Sequence, residues 1–232
     1  MSGTDNNGED DFSIDLKSFY ADNKYAQDLL DDKFIKRKLK DTLGNEYDYL
    51  KECLTTIDDI TYYTDYMSYY MEGGIPGLYT IMEASLVIYQ NGEVEGAYLY
   101  NNEIFYFSSV VTERMEIHQG IFNWMYEKKN NSLHVEEGGV EIAGTYIEPE
   151  SNNYIKIKAD DNGYFMDLFG SYGVNIGGVE EYIQQYDINN WGYFEDEDRG
   201  IRLMFAKDTV LVFEYGTWGG LGVTLSGQYY RH

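Results

Sequence analysis

The chain has 232 residues, 43% of them hydrophobic and 17% aromatic, with 25 tyrosines and 41 acids against 17 bases, giving a net charge of -24. That length is enough for two domains that each bury a core. So acidic a surface repels phosphate backbones and anionic headgroups, which argues against nucleic acid and membrane-surface binding and leaves a basic protein, a cation or plain solubility.

Residues 1–15 carry five acids and no base. A polar, acidic tract of this kind does not fold alone. It looks like the tether of a bacterial lipoprotein, with Met1 where the lipidated Cys would stand; an ordinary polar N-terminus accounts for it equally well. No stretch has the length of a membrane span or the pattern of a signal peptide. From Asp22 to Leu43 the apolar residues Tyr25, Leu29, Leu30, Phe34, Ile35, Leu39 and Leu43 draw one helical stripe, with Asp22 as its expected cap and Gly44 as its end. The acids Asp28, Asp31 and Asp32 precede Lys33, Lys36, Arg37, Lys38 and Lys40, as the helix dipole favours, so the basic cluster reads as a solvated helix end. A second helix is expected over Glu46–Leu54. It contains Cys53, the only cysteine. One cysteine gives no disulfide framework and no cysteine-rich metal site, and its apolar setting reads as burial rather than reactivity.

Thr55–Tyr70, rich in Thr, Ile and Tyr, suits a strand. Gly73-Gly-Ile-Pro-Gly77 follows as a dense Gly/Pro loop. Ala84–Tyr89, Val94–Tyr100 and Ile104–Phe107 are predicted strands of an antiparallel meander, joined by Gln90-Asn-Gly92 and Asn101-Asn102, residues that tolerate the positive φ of tight turns. Ile117–Tyr126 reads as a helix and Lys128–Ser132 as a linker.

Beyond the linker, 17 acids face six bases over residues 136–232. Strands are expected at Tyr154–Lys158, Tyr164–Phe169, Ile201–Ala206, Val210–Tyr215 and Val223–Tyr230. Two decapeptides, Gly139–Glu148 (GVEIAGTYIE) and Gly222–Arg231 (GVTLSGQYYR), are near copies 83 positions apart. They suggest the first and last strands of one all-β domain, placed to pair and close it, with Gly144, Tyr146, Gly227 and Tyr229 structural and Tyr146 stacked on Tyr230.

Reactive motifs are weak. Glu195-Asp-Glu-Asp198 lacks the spacing of a calcium loop and reads as solvated. His118, His134 and His232 are too scattered for a metal pair, and no Gly-x-Ser-x-Gly elbow supports a hydrolase triad. The Gly-rich runs Tyr172–Gly178 and Gly216–Gly222 have no phosphate-loop Lys. They are expected to cross a barrel end beside Trp191 and Trp218.

The order Leu43–Tyr47, Gly73–Gly77, Glu83–Ile88, Gly92–Ala97, Ile104–Phe107 and Phe122–Met125 resembles the Ivy-type lysozyme-inhibitor domain and its bacterial relatives, over about residues 20–127. In that family a Cys-Lys-Pro-His-type loop precedes the meander and its His enters the lysozyme cleft. The corresponding Gly74-Ile-Pro-Gly77 keeps Pro76 but has neither the cysteines nor the His. The resemblance therefore implies the fold, and the inhibitory His is missing. The second half is similar to small β-barrel-like modules of bacterial envelope proteins whose terminal strands end in Gly-x-Tyr.

The expectation is an α+β chain, with helices on an antiparallel meander followed by an all-β barrel-like or sandwich domain: a tether over 1–15, an α+β domain over 16–130 and an all-β domain over 135–232. The expected function is a non-enzymatic, secreted or envelope-anchored bacterial binding protein for a basic protein such as a lysozyme-like hydrolase, without catalytic residues, metal or cofactor. Contact is assigned to Gly73, Gly74, Ile75, Pro76 and Gly77, with Tyr69, Tyr70 and Tyr79 beside them, because a Pro-stiffened loop next to aromatics presents anchors at low entropic cost. A tight turn over core tyrosines accounts for the same residues. The alternatives are a carbohydrate-active hydrolase, for which exposed Trp191 and Trp218 would speak, and a structural or immunity-type envelope protein.

Overall fold

The computed structural model describes residues 26–78, 81–110, 116–134, 140–149, 151–187 and 190–232. The acidic tract over 1–15, the predicted cap Asp22 with Tyr25, Tyr79, and the start of the first decapeptide at Gly139 lie outside the described residues. Strands make up 50% of the structure and helices 18%, so the chain is mostly β and the α+β expectation is corrected. Its described residues fall into two compact units, one drawn from Met1–Tyr98 with Phe107–Val111, the other from Leu99–Tyr106 with Thr112–His232.

In the first unit the predicted single helix is two, α1 (Ala26–Asp31) and α2 (Lys33–Leu43). The break has a local cause. Asp32 leaves helical dihedrals, at φ -55° and ψ 137°, and its carboxylate accepts the backbone N–H of Phe34 at 2.9 Å and of Ile35 at 3.3 Å. An acid that caps the next turn ends the previous one. Gly44, at φ +58°, ends α2 as expected, donating its N–H to the Lys40 carbonyl. Helix α3 (Tyr47–Cys53) follows and lies against strands β2 and β3. Ile35, Leu39, Cys53 and Leu54 are fully buried.

The sheet runs in sequence order through β1 (Thr56–Tyr63), β2 (Ser68–Gly74), β3 (Glu83–Tyr89), β4 (Val94–Tyr100), β5 (Glu103–Ser108) and β6 (Ser132–Leu133). The stretch expected as one strand over Thr55–Tyr70 is thus a strand, a turn and the start of the next, antiparallel to it. Asn101 and Asn102 take positive φ at the β4–β5 turn, as their side chains permit. The β5–β6 pair is parallel.

The second unit holds helix α4 (Gln119–Glu127) and a closed eight-stranded barrel. Its strands are β7 (Gly144–Ile147), β8 (Tyr154–Asp160), β9 (Gly163–Tyr172), β10 (Asn175–Asp187), β11 (Asn190–Phe194), β12 (Gly200–Ala206), β13 (Thr209–Tyr215) and β14 (Gly227–Arg231). Each pairs antiparallel with the next, and β14 returns to β7 through Tyr230 opposite Ile147 and Arg231 opposite Tyr146. Full closure removes the open edges that attract other chains.

Inward residues alternate along the strands. Tyr146, Ile155, Ile157, Met166, Leu168, Ile201, Leu203, Phe205, Val210, Val212, Leu225 and Tyr229 belong to one buried cluster, so the barrel interior is a packed core. Tyr146 and Tyr230 occupy opposite faces and do not stack. Tyr146 packs edge-on to Phe205 at 5.9 Å and its hydroxyl takes a hydrogen bond from Arg231 at 2.7 Å.

Outside the barrel, α4 covers β13. Phe122 stacks on Phe213 at 5.4 Å, and Tyr126 meets it edge-on at 5.8 Å while donating its hydroxyl to the Glu214 carbonyl. Gln228 bridges to the chain before α4, accepting from Ile117 N–H and donating to its carbonyl. Lys128–Ser132, expected as a linker, is held in place: Asn130 accepts the Tyr215 hydroxyl, and Ser132 begins β6. No helix among the described residues is long and apolar enough to cross a membrane.

Candidate functional site

The contact residues expected from sequence divide between strand and turn. Tyr69 and Tyr70 lie within β2 at 4% and 9% exposure, and Gly73 and Gly74 end the same strand, buried. Gly73 is required there, since a Cβ would fall 2.0 Å from the Thr56 carbonyl oxygen. Ile75 is half-buried, bonded through its N–H to Met82, and its carbonyl accepts from Leu78 to make a turn. Only Pro76 and Gly77 of the assigned loop stand out in solvent, next to Leu78 and Ile81, which are 40% and 53% exposed. Tyr79 is outside the described residues.

Groups of catalytic type are employed structurally. Burial pushes the Cys53 thiol up to about 11. Burial pushes His118 down to about 4, where its Nδ1 accepts the Gly120 N–H and caps α4. His134 stacks on Phe105 at 4.1 Å and meets Glu103 at 3.3 Å. Glu95, 1% exposed, accepts the Tyr89 hydroxyl at 2.6 Å. Among the described residues no group of three or more His, Cys, Asp or Glu is placed to hold a metal ion. The tryptophans that the hydrolase alternative needs in the open are half-buried. Trp191 packs against the barrel core and Tyr164, while Trp218 donates its Nε1–H to the Gly200 and Tyr215 carbonyls.

The feature that stands out lies at one end of the barrel. Because the strands alternate in direction, the β7–β8, β9–β10, β11–β12 and β13–β14 connections all emerge there. Two of them come from stretches without a charged residue, Leu168–Val179 and Tyr215–Tyr230. They carry Tyr172 at 67%, Val174 at 97%, Ile176 at 66% and Leu221 at 90% exposure. Scattered exposed apolar residues are ordinary, but a contiguous group on paired loops is the usual mark of a contact surface.

Glycine makes the pairing of these loops possible. Gly177 bridges Gly219 in antiparallel fashion, and a Cβ on Gly177 would fall 2.6 Å from the Gly219 Cα. Gly178 donates to the Trp218 carbonyl and Gly220 to the Ile176 carbonyl, both at 3.2 Å, and Asn175 Nδ2 donates to the Leu221 carbonyl at 2.6 Å. The expectation that these runs cross a barrel end beside Trp218 holds, whereas Trp191 packs on Tyr164 next to the β10–β11 turn, at the opposite end. Their exposed Val, Ile and Leu were not anticipated, although uncharged runs in so acidic a chain were the available signal.

Beside this group stands the acidic β11–β12 loop, Glu195–Asp198, all four residues exposed. Arg199 fixes it, pairing with Glu195 at 2.9 Å while its guanidinium lies 4.2 Å from the centre of the Trp218 ring. The barrel end therefore combines a firm apolar tip with a negatively charged flank. Comparison with protein-family models, with curated proteins and with solved structures finds no match to this chain.

Proposed function

We propose that the chain is a non-enzymatic binding protein whose barrel end docks a basic protein. The observation that carries this reading is the uncharged tip of Tyr172, Val174, Ile176 and Leu221 next to the exposed acids Glu195–Asp198. Apolar anchors ringed by charge are the common anatomy of a protein interface. Burying each of these side chains contributes about 1.5–3 kcal/mol before the cost of association. The hydrogen bonds between the two loops hold the anchors in place beforehand, which lowers the ordering cost on binding. The acids act mainly on encounter, raising the on-rate toward a positive surface. A lysozyme-like hydrolase is one basic protein of this kind, and the resemblance to Ivy-type inhibitors points to the same class.

The test is binding of immobilised chain to a panel of basic proteins that includes lysozymes, first at low and then at raised ionic strength. A Val174→Asp, Leu221→Asp double variant should lose binding while keeping its fold, since both side chains are in solvent. Raised salt should slow association more than it hastens dissociation. Undiminished binding by the double variant, together with loss in Pro76→Asp, would move the site to the Gly73–Gly77 loop. Silence across the whole panel at low salt would sink the basic-partner reading.

A further inference from the structure

On the outer face of the barrel three rings stand in a row. Tyr186 of β10 meets Phe194 of β11 at 5.8 Å, and Phe194 meets Tyr215 of β13 at 5.2 Å, each pair edge to face. They share a face by register: Gly192 is opposite Gln184 and Arg202, and Arg202 is opposite Phe213, so every second residue along these strands points the same way. Glycines let the rings lie flat. A Cβ at Gly200 would fall 2.2 Å from the Phe194 ring, and one at Gly192 would be 3.3 Å from the Tyr186 ring.

Two cations converge on this row. Arg202 holds its guanidinium carbon 5.7 Å from the Tyr186 ring centre and donates from Nη1 to the Asn130 carbonyl at 3.4 Å. Lys129 places Nζ 4.8 Å from the Tyr215 ring centre and 3.7 Å from that of Tyr126. Asn130 ties the two together, since its Oδ1 accepts the Tyr215 hydroxyl at 2.8 Å. Burial raises the Tyr215 hydroxyl above its ordinary range, and the neighbouring Arg202 partly reverses that, so the guanidinium acts on the same ring as Lys129.

Neither cation pairs with a carboxylate among the described residues, and Arg202 Nε is buried without an acceptor. With 41 acids in the chain against 17 bases, a counter-charge would have been easy to supply. Like charges gathered along one row of rings repel unless an anion lies between them. The forked guanidinium fits the two oxygens of a carboxylate, and Lys adds a point charge. Tyr186, 49% exposed, offers an aromatic surface beside them.

We propose that Lys129 and Arg202 bind the carboxylate of a small aromatic acid, with its ring against Tyr186. This site is independent of the barrel-end reading. The test is a titration of the full isotope-labelled chain, followed by NMR, with benzoate as the probe and acetate and inorganic sulfate as separate arms. Benzoate should shift Lys129, Arg202, Tyr186 and Tyr215 saturably, with acetate and sulfate weaker by about tenfold or more, the factor expected when a ring contact or a fitted carboxylate is lost. Lys129→Gln and Arg202→Gln should each weaken benzoate by roughly tenfold. Tyr186→Leu should weaken benzoate and leave acetate unchanged. Because Arg202→Gln alters a half-buried position, Lys129→Gln and Tyr186→Leu carry the decision if that variant misfolds. Absence of saturable shifts, shifts centred elsewhere, sulfate binding as tight as benzoate, or well-folded variants that bind benzoate as the parent does would each overturn the assignment.

Discussion

Replacing Arg231 tests how the barrel is closed. Only Tyr230 and Arg231 of β14 pair with β7, so the backbone alone makes a short seam. The Arg231 side chain extends it. Nη1 donates to the Ala143 carbonyl at 2.8 Å, Nη2 donates to the Tyr146 hydroxyl at 2.7 Å and to the Glu141 carbonyl, and the guanidinium carbon lies 4.9 Å from the Tyr146 ring centre. Gly144 leaves the space for it, since a Cβ there would fall 2.7 Å from Nη1. Hydrogen bonds with one charged partner contribute about 1.5–3 kcal/mol each. Against that stand the conformational entropy of a fixed Arg, about 2 kcal/mol, and the exposed Glu141 carbonyl, which water satisfies once the side chain is gone. The net expectation for Arg231→Ala is a loss of about 2–3 kcal/mol, which at this chain length lowers Tm by roughly 4–12 °C. Arg231→Lys should recover less than half, because an ammonium cannot reach both carbonyls and the ring together. Urea unfolding of the three proteins measures this, and a loss below about 1 kcal/mol for the alanine variant, within the range of ordinary surface changes, would refute the clasp.

Gly177→Ala should destabilise by about 1–3 kcal/mol, as overpacking does, because its Cβ would press on Gly219 and on the Trp218 carbonyl, 2.7 Å away, both backbone. A shift in Trp218 emission in native buffer would report the displaced loop, and an unchanged spectrum with unchanged stability would contradict the close approach. His118 gives a pH prediction. Its folded value of about 4 lies below its ordinary 6.5, so the unfolded chain takes up the proton first. The stabilisation is complete above pH 6.5 and is lost as pH falls through about 4. His118→Asn, which keeps a capping acceptor without a titrating ring, should flatten stability across that window by about 2 kcal/mol in paired urea melts at its two ends.

The meander and its turns were legible because they depend on local chemistry: Asn-Gly and Asn-Asn at the hairpins, and unbroken apolar strands between them. Gly44 was legible as a helix end for the same reason. The split at Asp32 was not, since one helical stripe runs through both α1 and α2 and only the cap geometry separates them. Strands β10 and β11 escaped notice. Among the described side chains of β10 only Val179 and Ile183 are buried, with Gly177, Gly178 and exposed acids between and around them, so alternation is erased. The decapeptides announced closure, but the stacking partner expected for Tyr146 was a face error of one residue, which in a strand exchanges inside for outside. Of the candidate site, the placement of the glycine-rich runs over a barrel end was readable, and their pairing through Gly177 and Gly219 was not. The exposure of Val174 and Leu221 was not, because apolar residues in an uncharged run look the same whether they face a core or solvent. Tyr69 and Tyr70 illustrate the converse, tyrosines that suit a surface by composition and are held inside a central strand.

The seam between β7 and β14 also sets a condition on how the barrel forms. Tyr146 and Arg231 are 85 positions apart, while every other neighbouring pair of barrel strands is consecutive in sequence. Hairpins close in microseconds, and joining distant strands is slower because a long loop must be ordered first. During synthesis β7 through β13 can assemble as an open sheet, with β7 and β13 as unpaired edges, before the last strand is available. Those edges stay exposed to other chains until Gly227–Arg231 docks. Substitutions that weaken the clasp should therefore show first as reduced soluble yield during expression, ahead of any change in the finished protein.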